Sequence, residues 1–92
     1  MAKECVSQEI SQDELKDYDE AFLEKIDDKE ISILALPSSC SSGHGWCESG
    51  KCYVCCSGTW YRFTDKNGNH YSCSQGRGKY YKCGTRNYLA TC

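Results

Sequence analysis

The sequence predicts a small disulfide-rich β protein, a three- to four-strand antiparallel meander preceded by an acidic amphipathic helical leader. Eight of the nine cysteines (Cys40, Cys47, Cys52, Cys55, Cys56, Cys73, Cys83 and Cys92) follow residue 37, and only Cys5 precedes it. Residues 1–37 carry eleven acids against four lysines, a net of −7; residues 38–92 carry seven Lys/Arg against Glu48 and Asp65, a net of +5. These sum to the −2 of the whole chain, so a near-neutral total conceals two opposite segments. The aliphatic stock of residues 38–92 is Val54, Leu89 and Ala90 alone, against nine aromatics. At roughly 25 cal/mol per Å² such a core does not offset the entropy of ordering its own backbone, so cross-links are required.

The chain divides at Pro37 into an acidic leader (1–37) and a cationic, cysteine-rich core peptide (38–92). In the leader, Ser11 and Glu14 form a capping box, and Ile10 and Leu15 are placed as a hydrophobic staple. Leu15, Tyr18, Phe22 and Ile26 then recur at spacings of three and four, which predicts a helix over about 11–28 with one apolar stripe. Asp27 and Asp28 fall at the unfavourable negative pole of that helix. The run Ile31-Ser-Ile33-Leu34-Ala-Leu36, stopped by Pro37, reads as a strand over about 31–36 able to add to the edge of another sheet.

Beyond Pro37, residues 38–45 read as a flexible loop accessible to proteases. Thr59–Thr64 and His70–Cys73 are predicted strands flanking the Asn67-Gly68 turn. Residues 75–78 form a second turn. Lys79–Cys83 and Tyr88–Cys92 are further strands around residues 84–87.

Eight cysteines allow more than a hundred pairings, and spacing does not choose among them. Cys55 and Cys56 are adjacent, so in a strand they point oppositely and anchor two separate bridges. Two other cross-linking chemistries remain open. His44-x2-Cys47 and Cys52-x2-Cys55 are two chelating pairs near zinc-knuckle spacing, which makes a cytosolic zinc-binding interaction module the alternative reading, with zinc as its cofactor. The Ser and Thr residues around the thiols offer thioether or azole formation. In the preferred reading there is no cofactor and no catalytic residue, since so small a scaffold does not build a supported catalytic site. A net of +5 without a nucleic-acid motif predicts no nucleic-acid partner. Residues 1–6 lack a basic and an apolar signal region, which points to a dedicated exporter reading the leader.

The acidic helical leader, the strand at 31–36 and the cationic Cys/Gly/aromatic core from Ser38 together resemble precursors of ribosomally synthesised bacteriocin or antimicrobial peptides. The resemblance implies a cytoplasmic precursor whose leader binds a maturation enzyme or exporter through Leu15, Tyr18, Phe22, Ile26, Ile31, Ile33, Leu34 and Leu36, and is then removed. It implies a secreted, cross-linked core peptide with antimicrobial or toxin-like action. Trp46, Trp60, Arg62, Lys66, Arg77, Lys79, Lys82 and Arg86 would then meet an anionic membrane or a surface receptor.

Overall fold

The computed structural model describes residues 3–33 and 36–92. In chain order the elements are β1 (Lys3–Val6), β2 (Gln8–Ile10), a short 3₁₀ helix (Gln12–Asp17), β3 (Asp19–Glu20), β4 (Phe22–Lys25) and α1 (Asp28–Ile33). There follow β5 (His44–Glu48), β6 (Lys51–Cys56), β7 (Thr59–Thr64), α2 (Cys73–Gly76), β8 (Lys79–Cys83) and β9 (Arg86–Leu89). They build a five-stranded sheet, β1-β5-β6-β7-β4, and a four-stranded sheet, β2-β9-β8-β3. All pairings are antiparallel except β3 with β8, which is parallel. Four disulfides tie them.

The central strands come from residues 38–92. β5-β6-β7 is a meander closed by two two-residue turns, Ser49-Gly50 and Ser57-Gly58. All four residues have positive φ, the combination that matches the twist of a tight hairpin. Strand β7 spans the predicted residues, as does β8, whereas β5 and β6 lie where no strand was expected. His70–Cys73 is not a strand: Thr64 and His70 make one isolated bridge, and Cys73 begins α2, capped by Ser72 and Gln75. The last strand ends at Leu89 rather than Cys92.

Residues 1–37 depart most from expectation. The capping box forms, with the Ser11 N–H donating to Glu14 Oε1 at 3.2 Å, but the helix it starts ends at Asp17. The predicted helix over 11–28 gives way after Asp17 to two strands: β3 pairs with β8, and β4 pairs with β7, where Glu24 Oε1 lies 2.8 Å from His70 Nε2. An isolated helix of that length is marginal in water, so sheet pairing prevails over it. The predicted strand at 31–36 is also overturned, since residues 28–33 are helical. Asp27 Oδ1 accepts the Glu30 N–H at 2.7 Å, placing Asp27 and Asp28 at a helix start, where negative charge is favourable, and not at a helix end. Leu34 lies outside the described residues.

The outer strands of both sheets thus all belong to residues 1–37, and the inner strands all belong to residues 38–92. β6, third of five, is buried on both faces, with Cys52, Tyr53, Val54 and Cys55 each at most 1% exposed. Between the sheets, Cys52, Val54, Phe63, Tyr81, Cys83, Tyr88 and Ala90 pack with Ala21. Behind the five-stranded sheet, Tyr53, Cys55 and Trp60 pack with Ile26 and Leu36. Ile10 joins Tyr80 and Leu89 on the outer face of the smaller sheet.

Gly43 is a tight point in this packing. Its φ is +90°, its carbonyl accepts the Ser7 N–H, and a Cβ there would lie 2.8 Å from the Tyr88 ring. Gly43→Ala is expected to destabilise the fold by about 1–3 kcal/mol, read as a lower denaturation midpoint at unchanged m-value.

Candidate functional site

The thiols sort differently from their distribution along the chain. The bridges are Cys5–Cys92, Cys40–Cys55, Cys47–Cys73 and Cys56–Cys83, and Cys52 is free and buried. The predicted set of eight therefore exchanges one member, with Cys5 taking the place of Cys52. The cause is register: Cys5 lies opposite Gly45 on the edge strand, within reach of the C-terminus, whereas Cys52 points between the sheets. Cys55 and Cys56 do anchor two separate bridges on opposite faces of β6. Of the alternative zinc set His44, Cys47, Cys52 and Cys55, two members are taken up by bridges, and no group of metal-ligating side chains occurs among the described residues.

Most apolar residues assigned to leader recognition face the chain's own interior. Ile26 and Leu36 are buried, and Ile31, Leu15 and Tyr18 pack against core clusters. Leu15, Tyr18, Phe22 and Ile26 do not share one helix: Leu15 lies in the 3₁₀ helix, Tyr18 caps it, and Phe22 begins β4. Ile33, 74% exposed, and Phe22, 42% exposed, remain accessible.

The residues assigned to a target surface also divide. Trp60 is buried, its Nε1–H donating to the Pro37 carbonyl at 3.0 Å. Trp46 is half-buried and donates to Glu48 Oε1 at 3.1 Å. The Arg62 guanidinium lies 5.4 Å from the centre of the Tyr53 ring. Arg62 Nε and the Tyr53 hydroxyl are buried without hydrogen-bond partners, and burial raises the Tyr53 phenol above its ordinary range. Lys66, Arg77, Lys82 and Arg86 are exposed, and Arg86 lies 3.9 Å from Glu9.

Two of these cations, Lys66 and Lys79, meet Phe22 in one cleft of about 490 Å³, lined also by Asp19, Glu20, Asp65, Asn67 and Tyr71. Its volume lies in the range of small-molecule sites, though it is more polar than most. The acidic segment supplies one wall through β3 and Phe22. The other wall is the turn after β7 together with β8. Asp65 organises that turn: Oδ1 accepts the N–H groups of Asn67 at 2.8 Å and Asn69 at 2.9 Å, and Oδ2 accepts from Asn69 Nδ2 at 3.1 Å. These bonds, led by those from Asn69, hold its carboxyl below the usual carboxylate range. Lys79 Nζ lies 5.1 Å from the centre of the Tyr71 ring. The cleft thus offers an accessible ring, carboxylates of which that of Asp65 is held in place, and amines to a polar ligand. Sequence reasoning missed Asp19, Glu20, Asp65, Asn67 and Tyr71, although the turn built on Asp65 was visible through Asn67-Gly68.

Fold and cleft together define a small two-sheet β protein, cross-linked by four disulfides, with a mixed-charge cleft where its acidic and basic segments meet. No protein-family model, curated protein or solved structure matches the chain.

Proposed function

We propose that the protein is a secreted, disulfide-stabilised effector of the antimicrobial or toxin-like kind, acting by binding rather than catalysis. Residues 1–37 act within it and do not leave as a free leader. The observation that carries this reading is topological: every outer strand of both sheets comes from the acidic segment. That segment also contributes buried Ile10, Ala21, Ile26 and Leu36, and Cys5 bonds it to Cys92. A cut after Pro37 would therefore leave two chains joined by a disulfide. Four bridges in a chain this small accord with an oxidising compartment.

The same topology bears on the target. Asp19 lies opposite Lys79, Glu24 opposite Arg62, and Glu9 near Arg86, so acids of the first segment offset the basic residues locally. A chain of net charge −2 is not drawn to anionic membranes by bulk charge. A specific surface receptor, met through the cleft and the exposed Lys66, Arg77 and Lys82, fits better. Among the described residues assigned to leader recognition, Ile33 and Phe22 are the exposed apolar contacts for an exporter.

Intact mass of the protein released by its natural producer, before and after reduction, tests the proposal. The expected product retains residues 1–37 and gains eight hydrogens on reduction, two for each of the four disulfides. A product lacking residues 1–37, or one released with all thiols free, would overturn it.

A further inference from the structure

The one free thiol does not stand alone. Cys52 of β6 lies directly opposite Cys47 of β5, and Cys47 is bonded to Cys73 at the start of α2. Glu48 and Lys51 flank the Ser49-Gly50 turn as the hydrogen-bonded pair, which makes Cys47 and Cys52 the next, non-hydrogen-bonded pair. Such pairs share a face and bring their Cα atoms to about 4.5 Å, at the near end of the range a disulfide spans.

Helix α2 is pinned over this end of the hairpin. The Cys73 N–H donates to the Gly50 carbonyl at 3.0 Å, Ser72 bridges to Lys51, and Cys73 Sγ lies 3.3 Å from the Lys51 carbonyl oxygen. One turn further on, a Cβ on Gly76 would lie 3.3 Å from Cys52 Sγ, so Cys52 lies beneath the same short helix. Cys47 and Cys52, paired across the hairpin, and Cys73, the first residue of α2, thus meet at one end of β5 and β6.

We infer that Cys47, Cys52 and Cys73 form a thiol–disulfide exchange centre, which converts the Cys47–Cys73 bridge into Cys47–Cys52 and presents Cys73 as a site for covalent modification. In the step, the Cys52 thiolate attacks Cys47 Sγ, a Cys47–Cys52 bond forms, the Cys47–Cys73 bond breaks, and Cys73 leaves as the thiolate. The disulfide count is unchanged, so no external oxidant or reductant takes part. Cys52 is 1% exposed and closed to external reagents, whereas Cys73 is half-buried at the surface end of α2. Exchange therefore carries reactivity from an inaccessible sulfur to an accessible one. A small-molecule disulfide such as oxidised glutathione would then be attacked by the Cys73 thiolate, leaving one glutathionyl group on Cys73 and releasing the other as its thiolate. Burial pushes the Cys52 thiol up to about 11, partly offset by the Arg62 charge, so the centre is slow at neutral pH.

The full oxidised chain, incubated without denaturant in excess N-ethylmaleimide and quenched in acid at intervals, tests this by peptide mapping. The expected product carries one label, on Cys73, with Cys47–Cys52 as the new bridge and the other three bridges intact. In Cys52→Ala the label at Cys73 is expected to fall about tenfold or more. Label on Cys52 with Cys47–Cys73 intact, label on Cys47, or no label in the wild-type chain would each overturn the assignment. The wild-type map decides the matter even if the variant fails to fold.

Discussion

A chain that begins at Ser38 is expected to reach no native state. Deleting residues 1–37 removes Ile10, Ile26 and Leu36 from two core clusters and Ala21 from the third. At about 1.5–3 kcal/mol for each of the three large side chains, the lost burial is roughly 5–9 kcal/mol. That is comparable with the whole net stability of a small domain, about 5–15 kcal/mol. Deletion also leaves Cys92 without its partner and bares the outer edges of β5, β7, β8 and β9, which invites aggregation. Expected results are no cooperative thermal transition and scrambled disulfides on mapping. A monomeric fragment with the three remaining native bridges and sharp unfolding would show that the acidic segment is dispensable. The double variant Cys5→Ser/Cys92→Ser keeps the strands and loses only the tie. It is expected to fold with its stability lowered by about 2–5 kcal/mol.

This dependence was hidden in the sequence for a physical reason. The acidic segment carries helical spacing in Leu15, Tyr18, Phe22 and Ile26, and periodicity reads only local order. What decides its conformation is pairing with strands some forty to eighty residues away, as in Leu23 against Phe63 or Gln8 against Leu89. Even so, the charge asymmetry between the segments was visible. Opposite charge of −7 and +5 is what two mutually attracting segments carry. Asp27 and Asp28 gave a sharper hint. Two acids at the end of a predicted helix are unfavourable, and they are instead the start of the next one.

Where structure is set within a few residues, the sequence was a good guide. The extents of β7 and β8 follow from β-forming runs bounded by turn residues, and the opposite aim of Cys55 and Cys56 follows from strand alternation. Strands β5 and β6 are legible in principle through Ser49-Gly50, a turn pair between two cysteine-bearing runs, but the reading of residues 38–45 as loop leaves 46–58 without an assigned element. The cleft was half legible. Lys66 and Lys79 were singled out as cations, yet their meeting with Phe22 depends on β4 pairing with β7, a contact no local pattern encodes.

Phe63→Ala is expected to be the most damaging single substitution within the inner strands. Phe63 is fully buried between the sheets, its ring edge-on to Tyr81 at 5.7 Å and 85°, and 5.9 Å from Tyr71. It also fills the space beneath α2, where a Cβ on Gly76 would lie 2.9 Å from its Cδ2. No aliphatic side chain of residues 38–92 is free to close the gap, because Val54, Leu89 and Ala90 are already buried. Truncation is therefore expected to cost about 3–5 kcal/mol, the upper range for an aromatic that leaves an uncollapsed cavity, plus part of the aromatic pairing. Chemical denaturation of the oxidised protein, compared with Phe63→Leu, measures it. Phe63→Leu keeps most of the volume and loses the ring contacts, so it should fall between wild type and Phe63→Ala. Equal losses in the two variants would show that the ring geometry, and not the filled volume, holds the sheets together. A loss below about 1 kcal/mol in Phe63→Ala would mean the sheets close over the site, contrary to a core stiffened on both sides by disulfides.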